Sequence, residues 1–271
     1  MRNILIIGPT STIAKSYLDH NKKNLDNIVK FSLSNNTDLV RTLEDQIRFN
    51  KFDSVLYFGH KKSESFEFNA SNSRFINVEL PIKLAQVCQA FGSQFLVFSS
   101  TRIFNEKESF VGKKTRYSPE TDYGQQKVDL ERGVLQYNSK VLRLTKVITA
   151  LDELWLNWHK SITTGTKSLV YKDKFISPIF LKEVVEAIDV VLQTNNKYIF
   201  QFSRDKEISF ESLYKKFSQI VLQNGNTLVD KGGVEFVSGA TTHSSLECDN
   251  DLKQCIGKFD FQFEEFILNL F

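Results

Sequence analysis

Ile4-Leu5-Ile6-Ile7-Gly8-Pro9-Thr10-Ser11-Thr12-Ile13-Ala14 is the stretch on which the fold turns. Its first four residues are continuously apolar, the form of a strand covered on both faces of a parallel sheet. A glycine turn follows, and Lys15 to His20 reads as helix. Strand, glycine turn and helix together form the entrance to a dinucleotide-binding fold. There a helix N-terminus offers free N–H groups and a partial positive charge to a pyrophosphate. The three small positions of that pattern read Gly8, Ser11 and Ala14. Alanine suits the third, which governs helix–strand packing. Ser11 departs from the second, where glycine lets backbone approach phosphate closely. Alone, the turn is equally compatible with a plain strand–helix connection.

The same grammar continues downstream. Ile28 to Leu33 reads as a second strand, Asp38 to Phe49 as a helix with Thr37 as N-cap, and Ser54 to Phe58 as a third strand ending at Gly59-His60. Arg74 to Phe91 has the pattern of a long amphipathic helix. Phe95 to Phe98 delivers Ser99-Ser100-Thr101 at a strand end, and Lys140 to Leu144 is a further strand. This alternation predicts a doubly wound parallel sheet over residues 1–150. Residues 151–271 are expected to form mainly a smaller α/β lobe, interleaved with the last elements of the sheet. Its aromatic patch around Trp155 and Trp158 is either core or a substrate wall, and a terminal helix is expected over Phe263 to Phe271.

After the second strand an Asp or Glu would bind a ribose 2′-hydroxyl and mark NAD. Ser32, Ser34, Asn35 and Asn36 stand there instead, leaning toward NADP(H) without an arginine to settle it. Asp38 is either a first-turn helix acid or an acceptor for the adenine amino group. His60 could be a base, but a histidine just past a strand end more often packs near a cofactor or caps the turn.

With 41% hydrophobic and 25% charged residues, the 271-residue chain has the composition of a soluble globular protein. A net charge of +3 gives no reason to expect nucleic acid or an anionic membrane as partner. Cys88, Cys248 and Cys255 form no C-x-x-C pair, which fits free thiols in a reducing cytoplasm, with no disulfide framework and no metal site.

Tyr123-Gly124-Gln125-Gln126-Lys127 precedes an amphipathic run. On a helix, Tyr123 and Lys127 share one face. An ammonium there is expected to lower the phenol pKa toward usefulness near neutrality.

Taken in order, Gly8-x-x-Ser11-x-x-Ala14, Asn77 before Pro81, Ser99-Ser100-Thr101-Arg102-Ile103-Phe104, Tyr123-x-x-x-Lys127, Leu142-Arg143-Leu144-Thr145 and Ile176-Ser177-Pro178-Ile179 resemble the extended short-chain dehydrogenase/reductase family. The likeness is to its dTDP-4-dehydrorhamnose reductase-like branch. His243-Ser244-Ser245-Leu246 resembles that branch's R-P-x-x-S-x-L segment without its arginine and proline.

The resemblance implies a Rossmann fold and an NADP(H)- or NAD(H)-dependent enzyme acting on a nucleotide-sugar. It allows a homodimer. It casts Tyr123 as acid/base at the sugar O4, Lys127 as the residue holding the nicotinamide ribose, and Ser100 as a second hydrogen-bonding group on that oxygen. Gly8, Thr10, Ser11, Thr12, Ile13, Asp38, Leu39, Phe58, Gly59 and His60 fall on cofactor-binding positions, and Asn77 stands where the family often has an asparagine.

Dehydratases of this layout carry Asp-Glu after the Ser/Thr. Thr101 and Arg102 occupy those places, and arginine does not deprotonate in a protein. A 3,5-epimerising reductase would need another acid/base pair, for which Cys88 and His159 are poor candidates. What remains is reduction of a 4-keto-sugar, 4-epimerisation with retained NAD, or a non-catalytic cofactor-binding regulatory subunit.

Overall fold

Six parallel strands form the central sheet of the protein, whose computed structural model describes residues 2–22, 26–33, 38–61, 73–224 and 233–270. The first half runs β1 (Asn3–Ile7), α1 (Thr12–Asn21), β2 (Asn27–Phe31), α2 (Leu39–Asn50), β3 (Ser54–Tyr57), α3 (Leu80–Phe91), β4 (Gln94–Ser100), α4 (Asp122–Val134) and β5 (Lys140–Leu144). The second half contains β6 (Val147–Ile148), α5 (Glu153–Thr164), β7 (Ser168–Tyr171), β8 (Lys174–Ile176), β9 (Ile179–Phe180), α6 (Leu181–Gln193) and β10 (Ile199–Phe202). It ends with β11 (Ile208–Ser209), α7 (Phe210–Gln223), β12 (Val234–Val237), β13 (Thr242–Ser244) and α8 (Phe259–Leu268).

The sheet order is β10-β5-β4-β3-β1-β2, all pairs parallel. After β2 the chain passes back over β1 to place β3 on its other side. The strand order therefore reverses between β1 and β3, where ligands enter open α/β sheets at the carboxyl ends of the strands.

The run Ile4 to Ile7 is fully buried, as a central strand requires. Side chains alternate across the sheet, so Ile4 and Ile6 pack with Tyr17 of α1 and Ile188 of α6, whereas Leu5 and Ile7 pack with Leu43 of α2 and Leu84 of α3. The late elements α6 and β10 thus complete the first half of the sheet. A separate core gathers Trp155, Trp158, Phe217 and Phe263. Both tryptophans are buried there as core.

The structure corrects several element boundaries. The helix read over Arg74 to Phe91 contains a π turn at Phe75–Glu79 before α3. Pro81 has no N–H for the carbonyl of Asn77, and the Leu80 N–H reaches back to Phe75 instead. The terminal helix begins a turn earlier than read, because Phe259, Phe263 and Ile267 form the stripe that meets the second core. Asp38 takes the N-cap position of α2 without a side-chain capping bond; Ser34, Asn35, Asn36 and Thr37 lie outside the described residues. Two-residue pairings such as β6 with β9 carry no usable periodicity in sequence.

Candidate active site

Gly8 closes β1 with φ +79°, and a Cβ on it would stand 3.0 Å from the Gly59 nitrogen. Both its conformation and the close approach of the β3 end demand glycine. Ser11 has φ −66°, so the backbone needs no glycine there. Its Oγ accepts from the Ala14 N–H at 3.2 Å and caps α1. The serine departure is therefore a helix cap.

Three clefts follow one another along the carboxyl edge of the sheet. The first, about 920 Å³, is lined by Gly8, Thr10, Ser11, Asp38, Leu39, Phe58, Gly59 and His60. Ser32 and Arg41 also line it. The second, about 330 Å³, shares Ser11 and Phe58 to His60 with the first and adds Thr12, Ile13, Ser100, Tyr123 and Lys127. The third, about 480 Å³, shares Ser100 and Tyr123 with the second and is otherwise walled by Arg102, Glu106, Lys174 and Thr242, among others. Every residue assigned from sequence to a catalytic or cofactor position lines the first or second cleft. Arg41 was missed: it becomes visible only once the first turn of α2 is placed over the cleft. Glu106 and Lys174 were missed for the same kind of reason, since distant segments bring them together.

Helix α4 is capped by Thr121, whose Oγ1 accepts from the Gly124 N–H at 3.1 Å. One turn then stacks Lys127 on Tyr123, with Nζ 5.7 Å from the ring centroid. Lys127 is buried and donates to the Phe98 carbonyl at 2.8 Å. Burial brings its pKa down to about 8, against the pull of Glu131. Burial also raises the Tyr123 phenol, while the Ser100 hydroxyl and the Arg102 charge draw it down. The Lys127 ammonium donates to the Phe98 carbonyl while lying over the Tyr123 ring, and Arg102 brings a second positive charge to bear on the phenol. His60 stands edge-on to the Tyr123 ring, centroids 5.4 Å apart.

Asn77 binds both backbone groups of Lys61, accepting from N–H at 2.8 Å and donating to C=O at 2.9 Å. It also donates to Gln126 at 2.7 Å. It thereby ties the end of β3 to the helix of the Tyr–Lys pair. Beneath that helix, Glu131 holds the fully buried Arg143, with Arg143 Nη2 donating to Oε2 at 2.7 Å, and Tyr117 donates to the same carboxylate at 2.8 Å. The three cysteines are free thiols. Among the described residues no cluster of metal-ligating side chains occurs, and no helix is long and apolar enough to cross a membrane.

A family model described as RmlD substrate binding domain matches residues 1–216. The chain belongs to the RmlD substrate binding domain family. No curated protein matches this RmlD-family chain. Among solved structures, it is similar to a dTDP-4-dehydrorhamnose reductase from Clostridium acetobutylicum, at 14% identity and TM-score 0.81, covering 99% of each chain. A dTDP-4-dehydrorhamnose reductase from Bacillus anthracis, solved in complex with NADP, aligns at 15% identity and TM-score 0.81 over 99% of this chain and 98% of that one. The Bordetella bronchiseptica enzyme WbmG, solved with NAD and UDP, aligns at 18% identity and TM-score 0.80 over 98% and 94%. At these identities the likeness speaks for the Rossmann-type fold of the RmlD-family chain.

Proposed function

We propose that this chain is an NAD(P)H-dependent reductase of a nucleotide-linked 4-keto-sugar. The observation that carries the reading is the convergence of Ser100, Tyr123 and Lys127 where the second cleft opens into the third. A dinucleotide suits the first two clefts. The N-terminus of α1, capped by Ser11, lies on both clefts and would face an anion bound there. When bound, the nicotinamide supplies hydride for a carbonyl carbon.

The protein's own part is proton handling. The Tyr123 hydroxyl gives its proton to the oxygen of the reduced carbonyl, while Ser100 hydrogen-bonds the same oxygen and orients it. Lys127, anchored on Phe98, offers its remaining N–H donors to a ribose hydroxyl beside the phenol. The neutral phenol is the form a proton donor needs, and its raised pKa keeps it so at neutrality. His60 shields the ring from one side.

Tyr123→Phe tests the assignment. It should reduce turnover of a nucleotide-linked 4-keto-sugar by roughly 10²-fold or more, with NADPH binding retained. Undiminished turnover would refute the proton-donor role. Absence of measurable binding of either NADH or NADPH would sink the enzyme reading altogether.

A further inference from the structure

Glu106 carries two costs at once. Its backbone is left-handed, φ +55°, in a residue that is not glycine. Its side chain is 12% exposed, and Oε1 is buried without a hydrogen-bond partner. Its Oε2 accepts a 2.6 Å bond from Nη1 of Arg102. Local strain and an incompletely satisfied carboxylate at a cleft point to function more often than to stability.

What Glu106 achieves is to fix Arg102. The main chain of Arg102 is already clamped, with its N–H on Ser100 Oγ at 3.3 Å and its carbonyl against Gly124, the neighbour of Tyr123. The backbone of Glu106 is held in turn by the His243 N–H at 2.7 Å. Only Nη1 of the guanidinium has a hydrogen-bond partner among the described residues, and the side chain remains 53% exposed. The third cleft therefore presents a braced, half-open guanidinium beside Ser100 and Tyr123, with Lys174 as a further cation in its wall. The planar fork of an arginine matches a carboxylate with two parallel bonds.

Resting on the 4-keto-sugar reading above, we infer that Arg102, braced by Glu106, recognises a carboxylate on the sugar ring, making the substrate class a nucleotide-linked uronic acid. The position discriminates against the diphosphate. In a pyranose, C1 and C4 stand across the ring, so a diphosphate on C1 points away from the group that handles O4. A cation beside that group faces the substituents of C3 and C5, and a C5 carboxylate is within its reach.

The test is calorimetric titration of the NADP⁺-loaded full-length protein with UDP-glucose, UDP-glucuronate, dTDP-glucose and dTDP-glucuronate, and with UDP and dTDP alone. For whichever nucleotide binds, the glucuronate should bind at least tenfold tighter than the glucose. Arg102→Gln should bring that ratio close to one, and Arg102→Lys should restore part of it. Equal affinities in the unsubstituted protein overturn the inference, whether or not the variants fold. It is also overturned if Arg102→Gln weakens the nucleotide alone as much as the glucuronate, which would place the guanidinium on the diphosphate. Binding of glucose forms without acid preference removes only this inference; binding of no nucleotide-sugar at all removes the proposed function with it.

Discussion

Two glycines on α4 should answer an alanine substitution with different severity. A Cβ on Gly124 would fall inside van der Waals contact of the Arg102 main-chain oxygen, 3.1 Å from the Arg102 carbonyl carbon and 3.0 Å from Pro119 Cβ. None of these is the free end of a flexible side chain, so the helix must move away from the Ser100–Arg102 turn. Overpacking of this kind costs about 1–3 kcal/mol. Alanine's helix propensity returns at most ~1 kcal/mol, and less in a first turn. The net expectation for Gly124→Ala is a loss of roughly 1–2 kcal/mol. Displacing Tyr123 from Ser100 by even ~1 Å should lower turnover by about 10²-fold.

Gly133, near the end of the same helix, would meet the Cδ1, Cγ1 and Cγ2 atoms of Ile82, a partly buried side chain that must shift but is not main chain. Gly133→Ala should therefore cost less than Gly124→Ala, about 1 kcal/mol or under once the helix-propensity gain offsets the shift of Ile82, with turnover unchanged. Urea titrations followed by circular dichroism, paired with NADPH-oxidation assays, measure both quantities. The reasoning fails if Gly124→Ala matches the unsubstituted protein in stability and rate, or if Gly133→Ala is the more damaging of the two.

Lys127→Met should stabilise the fold at pH 7 while abolishing turnover. The lysine's folded pKa, about 8, lies below its ordinary 10.5, so the folded state resists protonation and stability rises with pH between those values. The gain on removing the charge is at most about 3 kcal/mol, less the lost bond to Phe98. Stability curves from pH 7 to 10.5 should be flatter in the variant, and an equal slope in both proteins would show that Lys127 is not the source. Glu131→Ala leaves the guanidinium of Arg143 buried without its carboxylate and should cost about 3–5 kcal/mol in denaturant unfolding; a loss under ~1 kcal/mol would mean that water or another acceptor compensates. Arg41→Ala should weaken NADPH binding roughly tenfold and leave NADH nearly unchanged, because a 2′-phosphate in the first cleft would lie within reach of that guanidinium. Equal effects on both cofactors in fluorescence titration would contradict that placement.

The central sheet was legible because its signals are local. A buried parallel strand must be continuously apolar, as Ile4 to Ile7 is, and a glycine must follow where β1 turns under β3. The helical spacing of Tyr123 and Lys127 was equally local, and so was their placement on one face of α4. What each group feels electrostatically was not. That Lys127 donates to the Phe98 carbonyl, and that Arg102 also acts on the phenol, follows from packing of α4 against the end of β4. The π turn at Asn77 required knowing that Pro81 continues a helix instead of ending one. Residues such as Arg41, Glu106 and Lys174 enter the clefts only because segments far apart in sequence meet at one sheet edge. By itself the sequence determined which strands are buried and which helix carries the tyrosine–lysine pair, since periodicity and backbone sterics act over a few residues. Tertiary structure alone decided which charges surround that pair, because burial and electrostatic proximity are properties of the assembled fold.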